Sequence, residues 1–456
     1  MRGLVAALVL AGAVASPYRP SFDHQTQTYT VSHKPVSVDG SINLELFFSP
    51  DHSIDTITNL IQQAPDGSRI DIGTPSMDSW VGCTYGDSGC QGCNVTGMRG
   101  ETFPVFPAIL NAAHQRSVSF RIISNNYNTP TCEGQIAPFD WLALQSNIEV
   151  RYFASVTFLH EKYVQVVPPA GTPGVNGSAS GRKGAVSSVN WSRTSFTKNR
   201  EAGVVLVGKG GGEEELLDAL TAVFEDDWSR TTPYTVNNTY SPSEMSVITS
   251  PAALPVTIPS PPSIPGEFVT PVPTVFSTSA SSTSGVFVSP DYSMDTLLAD
   301  LNTTQSSLEI HIYQVTDDTL CDKIEELFNN GVNVTLLASS AIYSYYDKNG
   351  ARYCYKRLYD AGMSIRLTPS FFTYSHQKYW IIDGKKLGLS TGNWSPTDFN
   401  WPMPGQSGTY PAFPDPDWQD ANRDLQFFTT DAGVIQRFRQ VLNNDYEQGT
   451  DYTTSW

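Results

Sequence analysis

The chain has 456 residues and a formal net charge of -17, with 39% hydrophobic and 11% aromatic residues. That length holds two or three domains or one large pseudo-symmetric unit, and the apolar content excludes wholesale disorder. So acidic a protein is not drawn as a whole to anionic membranes or polyanions, so any such partner must be held by a local basic pocket.

Residues 1–15 read as a signal peptide. Arg2 supplies the positive start, Leu4 to Val14 is a short apolar run, and Ala13-Val14-Ala15 offers a cleavage site. A cleaved signal implies secretion or an endolysosomal lumen. No later segment is apolar for long enough to predict a transmembrane helix. The six cysteines suit that oxidising route. Cys321 and Cys354 stand alone in the second half and are expected to form a bridge. Cys83, Cys90, Cys93 and Cys132 allow three pairings, which the sequence leaves open. Sequons at Asn94, Asn176, Asn237, Asn302 and Asn333 are candidate glycan sites.

The chain repeats itself. Ser49-Pro50-Asp51-His52-Ser53-Ile54-Asp55-Thr56 recurs as Ser289-Pro290-Asp291-Tyr292-Ser293-Met294-Asp295-Thr296. Each copy opens a predicted helix, with Ser-Pro-Asp as its start chemistry. A short strand follows in each, Arg69 to Ile72 and Leu308 to Ile312. A second strand follows later, Val118 to Ile123 and Val332 to Leu337. Helix and strand in alternation predict an α/β architecture of two halves, 16–230 and 285–456, each with a mostly parallel sheet. Between them, 231–284 is rich in Pro, Ser and Thr and reads as an extended connector.

The chemistry sits late in each half. His376-Gln377-Lys378 begins a run ending in Ile382-Asp383, and Asn393 follows in Ser390-Thr391-Gly392-Asn393-Trp394-Ser395. On a strand, His376 and Lys378 share a face. A lysine neutralises phosphate charge, an imidazole attacks or donates a proton, and an amide donates toward a phosphoryl oxygen. The first half has His160-Glu161-Lys162 and, later, Asn190-Trp191-Ser192. From His160 to Asn190 is 30 residues, and from His376 to Asn393 only 17, so the first copy carries a 13-residue insertion that includes Pro168 to Gly174. Each half then offers a carboxylate, in Asn199-Arg200-Glu201 and Asn422-Arg423-Asp424. No carboxylate or histidine cluster has metal-ligand spacing, so neither a metal nor any other cofactor is expected. Trp191 and Trp394 are expected to pack rather than to stack on substrate.

These motifs resemble the phospholipase D superfamily, whose signature is H-x-K-x4-D followed by G-S-x-N. His376, Lys378 and Asp383 match its first part, and Ser390-Thr391-Gly392-Asn393 nearly matches the second. The first copy keeps His160, Lys162 and Asn190 but has Val167 or Ser180 where the aspartate belongs. Asn-Trp-Ser and Asn199-Arg200-Glu201-Ala202-Gly203 are most similar to the endolysosomal and secreted branch, whose animal members are 5′ exonucleases on single-stranded nucleic acid. The resemblance implies two facing halves with one shared site and a covalent phosphohistidine. It makes His160 the nucleophile and His376 the acid, with Glu201 orienting His160, Asp424 orienting His376, and Asp383 tying down loops. The amides of Asn190 and Asn393 would lie inside the site, which keeps those sequons free of glycan. The substrate is a phosphodiester, either single-stranded nucleic acid or a phospholipid, and a non-catalytic phosphate-binding protein is the further alternative.

Overall fold

The computed structural model describes residues 32–75, 77, 93–94, 104–125, 135–153, 158–171, 181–236, 238–258, 260, 270–399 and 421–456. The signal segment, the sequons at Asn176 and Asn237, and Cys83, Cys90 and Cys132 lie outside these residues. Only the backbone of Cys93 and Asn94 lies within them.

Two large mixed sheets carry the fold, and the same strand order appears in both. In the first it runs Ile148–Phe153, Ser119–Ser124, Arg69–Gly73, Tyr163–Val167, Lys183–Ser187, Glu201–Val207, Asn43–Ser49. In the second it runs Ile365–Leu367, Asn333–Ala338, Ser307–Ile312, Lys378–Ile382, Lys386–Ser390, Asn422–Thr429, Thr283–Ser289. The two-repeat α/β architecture is therefore as expected, but the strands are not mostly parallel. Between neighbours in these two orders, parallel pairing is confined to the first three strands, where helices cross between them. The remaining pairs in each order are antiparallel, and one of them is closed by a tight return at Asp383-Gly384.

Hydrophobic pattern explains the layers. Glu201–Val207 is buried along its whole length, as a strand covered on both faces must be. Ile54, Ile57, Ile61, Phe106 and Ile109 from the helices Ser53–Gln62 and Val105–Gln115 pack on the outer face of the first sheet. Leu297, Leu320, Ile324 and Leu358 do the same for the second. Between the sheets lies a shared core, to which the helices Glu213–Ser229 and Ala432–Gln448 contribute Leu216, Leu220, Phe224, Ile435, Phe438 and Leu442. Each such side chain removed from water contributes about 1.5–3 kcal/mol.

The halves also exchange strands. Val36–Asp39 joins the second sheet beside Thr283–Ser289, and Phe158–Leu159 pairs in parallel with Asn422 and Arg423. In the other direction, Phe276–Ser277 pairs with Asn43–Ser49. The stretch 231–284 is thus more than an extended connector. Besides that strand it carries Thr231–Pro233 and the helix Pro242–Ile248, nucleated by a capping box between Ser241 and Glu244. The second half's first strand starts at Thr283, two residues early.

The repeated Ser-Pro-Asp does a different job from helix capping. His52 and Tyr292 precede the two helices, and neither makes a side-chain cap bond. Asp51 instead accepts from Thr270 N at 2.9 Å and pairs with Arg200 at 3.3 Å, while Asp291 accepts from Ser32 N at 3.0 Å and pairs with Arg423 at 3.3 Å. Arg200 reaches on to Asp445 of the second half (Nε to Oδ2, 2.8 Å; Nη2 to Oδ1, 2.9 Å), and Arg423 to Asp227 of the first (Nε to Oδ1, 2.8 Å). Cys321 and Cys354 form the expected disulfide, joining the helices Asp318–Asn329 and Tyr345–Asp360.

Candidate active site

Each histidine lies just before a central strand, and its backbone crosses to the other half. His160 N donates to Arg423 O at 2.9 Å, and His376 N donates to Arg200 O at 2.8 Å. Since Glu201 and Asp424 directly follow those arginines, the crossing decides which carboxylate meets which ring. His376 Nδ1 lies 3.0 Å from Glu201 Oε2, and His160 Nδ1 lies 3.0 Å from Asp424 Oδ1. The expected pairing within each half is therefore corrected: Glu201 orients His376 and Asp424 orients His160. The site closes only when both halves are present.

The lysines follow the same crossing. Lys162 and Lys378 are almost fully buried, and each donates back to the carbonyl of its own histidine, Lys378 at 2.7 Å; Lys162 also reaches Thr391 O at 3.2 Å in the other half. Burial depresses both amines, Lys162 to about 8 and Lys378 well below its ordinary value, with Lys162 itself adding to the fall at Lys378. Asp424, Asp398 and Glu201 offset part of that penalty. Lysine charge at this depth is poised to be completed by an incoming phosphate.

The two rings differ. Burial is the largest influence on His376 and, with Lys378 and Lys162, pushes it down to about 4 despite Glu201. Burial and Lys162 also press on His160, but Asp424 and Asp398 overcome them and raise it. Burial would lift Glu201, yet His376, Lys378 and Ser188 hold it below the usual carboxylate range. The Tyr313 ring stands edge-on to His376, centroids 4.9 Å apart, with Lys378 Nζ 5.6 Å from its centre.

Asp398 was not among the residues singled out from the sequence. Its Oδ1 lies 3.0 Å from His160 Nδ1, and its Oδ2 accepts from Asn393 N at 2.8 Å and from Ser395 Oγ at 2.7 Å. His160, Asp398 and Asp424 bring candidate ligand atoms within 4.8 Å of one another, a grouping that linear spacing conceals. The carboxylates are already engaged: Asp398 takes Asn422 Nδ2 at 2.5 Å and Asp424 takes Thr391 Oγ1 at 2.6 Å, with the His160 ring between them. The cluster is a hydrogen-bonded brace for the imidazole.

Asn393 joins the site through its backbone N, which donates to Asp398, and Asn190 is its counterpart in the first half. Asn393 is 9% exposed, with a buried Oδ1 that has no protein partner, and Asn190 is half-buried. The following Trp191 and Trp394 are buried at 1% and 0%, so both are packing residues. Asp383 sits at the far end of the strand Lys378–Ile382, away from the histidines. It accepts from the amides of Gln305, Ser306 and Ser307, which overcome a small burial penalty and hold it at about 2. Asp383 is a clasp for the neighbouring turn and no part of the reacting group. Register shows what replaces it: Ile70 pairs with Val166 as Leu308 pairs with Ile382, so Val167, not Ser180, is its counterpart. The Pro168 and Pro169 rings lie close to Gly181 and Gly67 there, a packed closure in place of a polar one.

A family profile described as "Cardiolipin synthase, PLD-like domain" matches residues 101–228 and 297–446. Among solved structures, phosphatidylserine synthase from Haemophilus influenzae Rd KW20 is similar at a TM-score of 0.56 and 11% identity, covering 91% of this chain and 89% of its own. Polyphosphate kinase from Porphyromonas gingivalis is similar at 0.50 and 10% identity, covering 88% of this chain and 50% of its own. Nuc, a phospholipase D family member from Salmonella typhimurium, aligns with 38% of this chain and 98% of its own at a TM-score of 0.30 and 16% identity. At these identities the likeness to the phosphatidylserine synthase and the polyphosphate kinase is one of fold. No curated protein matches the sequence.

Proposed function

The chain belongs to the phospholipase D-like family, and from that premise we propose that it is a secreted or endolysosomal phosphodiesterase that cleaves single-stranded nucleic acid. One observation supports this above the rest: two buried His–Lys pairs, His160 with Lys162 and His376 with Lys378, each braced by a carboxylate from the opposite half. Two histidines allow double displacement, one attacking phosphorus and the other protonating the leaving oxygen and then activating water. Lys162, Lys378 and the amides of Asn190 and Asn393 supply positive field to the phosphoryl oxygens. Hydrolysis is the outcome when water is the second nucleophile.

The preference for nucleic acid over lipid rests on exposed tyrosines in the segment that Tyr343 ties to the site. Tyr343 N donates at 2.7 Å to the hydroxyl of Tyr313, whose ring faces His376. Tyr343, Tyr345 and Tyr346 are 86%, 74% and 85% exposed. Aromatic faces held in water beside a phosphate site stack bases at about 1–3 kcal/mol each. In the proposed secretory setting the Cys321–Cys354 bridge persists. The experiment is direct: purified protein is incubated with a 3′-labelled single-stranded oligonucleotide and, separately, with phosphatidylcholine vesicles. Stepwise shortening of the oligonucleotide is the expected result, and shortening from the 5′ end fits the exonuclease branch. Headgroup release without cleavage of the oligonucleotide replaces the nuclease with a phospholipase. Binding of both without turnover leaves a phosphate-binding protein.

A further inference from the structure

The site is twofold nearly throughout. Ser188 Oγ donates to Glu201 at 2.7 Å as Thr391 Oγ1 donates to Asp424 at 2.6 Å, and Arg200 and Arg423 hold equivalent ion pairs. One position beside the histidines breaks the symmetry of charge. Five residues beyond Asn190 stands Ser195, and five beyond Asn393 stands Asp398. The neighbouring asparagine points the same way in both halves, Asn199 Nδ2 to Ser195 Oγ at 3.3 Å and Asn422 Nδ2 to Asp398 Oδ1 at 2.5 Å. Ser195 is neutral; Asp398 adds a second buried carboxylate 3.0 Å from the His160 ring.

We propose that Asp398 assigns the histidines their roles, making His160 the resting general acid and leaving His376 as the nucleophile that carries the covalent phosphoryl group. This rests on the phosphodiesterase reading and reverses the order that the family resemblance implies. The charged groups facing His160 are Asp398, Asp424 and Lys162; those facing His376 are Glu201, Lys378 and Lys162. His160 thus faces two acidic side chains and one lysine, and His376 one acidic side chain and two lysines. An imidazolium is favoured in the first setting and a neutral imidazole in the second. Hydrogen bonding fixes the tautomer of the neutral ring. His376 Nδ1 faces two acceptors, Glu201 Oε2 at 3.0 Å and Ser188 O at 3.1 Å, so its proton sits on Nδ1 and the lone pair on Nε2 is free to attack.

In the first step the His376 Nε2 lone pair forms a bond to phosphorus. The bond from phosphorus to the leaving oxygen breaks, and that oxygen takes the proton from His160 Nε2. In the second step water attacks phosphorus and gives a proton to the now neutral His160. The phosphorus–nitrogen bond breaks and its electron pair returns to His376. Both side chains end as they began, and one water has been consumed.

Two measurements test the assignment. In the first, wild-type protein is mixed with a single-stranded oligonucleotide labelled at internal phosphates, quenched in alkali within one turnover, digested and mapped by mass spectrometry. Label on the His376 peptide is expected; label on the His160 peptide overturns the proposal. In the second, the pH profile of kcat/KM is compared for wild type and Asp398→Ser, which installs the first half's own residue. Activity requires neutral His376 and protonated His160. It therefore rises as pH climbs past about 4 and falls as pH climbs past the raised value of His160. In Asp398→Ser the alkaline limb is expected to move down by about one pH unit or more while the acid limb stays, because the carboxylate 3.0 Å from the His160 ring is gone and His376 keeps Glu201. An unmoved alkaline limb refutes the role of Asp398, which a residue serving only to support the fold would also leave unmoved. Should Asp398→Ser not fold, Asp398→Asn removes the charge at nearly constant size and is held to the same criterion. If the oligonucleotide is not cleaved, both measurements are repeated with bis(p-nitrophenyl) phosphate; cleavage of that probe confines the failure to the substrate, and inertness toward both overturns the phosphodiesterase reading together with the assignment.

Discussion

Replacing Arg200 with methionine tests how the halves are held together. Arg200 is 0% exposed and bonds Asp445 through two nitrogens, at 2.8 and 2.9 Å, with Asp51 at 3.3 Å. Asp445 and Asp51 are also buried, at 0% and 1%, so the substitution strands two carboxylates that water cannot reach. Breaking a buried pair by removing one partner costs about 3–5 kcal/mol. Asp51 keeps its bonds from Thr270, which places the expected loss at the lower part of that range. Set against a total stability of about 5–15 kcal/mol, such a loss is large. Urea unfolding followed by tryptophan fluorescence measures it as a fall in the midpoint at unchanged slope. The double variant Arg200→Met with Asp445→Leu removes the stranded charge at the interface and is expected to recover most of the loss. A single variant within about 0.5 kcal/mol of wild type would refute the reasoning, because it would mean that these carboxylates find water or protons without cost.

Three other outcomes are expected. His376→Ala loses at least about 10²-fold in turnover while its unfolding midpoint stays near wild type, since the ring supports chemistry more than packing; a folded variant with normal rates removes His376 from the mechanism. Cleavage of the oligonucleotide persists in EDTA, because Asp398 and Asp424 are held by His160, Asn422 and Thr391; activity abolished by chelation and restored by Mg²⁺ or Zn²⁺ contradicts this. Protein from a secreting eukaryotic host carries glycan at the exposed Asn302 and Asn333 and none at Asn393, as read by mass shift after enzymatic deglycosylation in labelled water; glycan on Asn393 would place that amide outside the site.

Much of the molecule was legible in the sequence where the two copies say the same thing. The strands beginning near Arg69, Val118, Leu308 and Val332 fall within a residue or two of expectation, because their β-branched runs are short, apolar and bounded by turn residues. The histidines, lysines and asparagines were found by repetition. What escaped was of two kinds. Contacts between halves span great distances along the chain: Asp424 lies 264 residues from His160, and Glu201 lies 175 from His376, so proximity in sequence favoured the wrong carboxylate for each ring. Asp398 escaped for the opposite reason, since its counterpart is Ser195 and comparison of the copies passes over a residue that only one possesses. Strand direction was misread because helix–strand alternation registers the crossovers and is silent about hairpins such as the one at Asp383-Gly384.

The exchange of edge strands has a consequence for how this chain can be divided. Val36–Asp39 belongs by sequence to the first half yet completes the second sheet, and Phe276–Ser277 lies beyond the first half yet extends its sheet. Cutting the backbone between the halves severs a covalent link but none of these ladders, nor the paired arginines. The nicked protein should therefore travel as one particle. Two separately produced halves, by contrast, would each expose an unfinished sheet edge and an orphaned histidine.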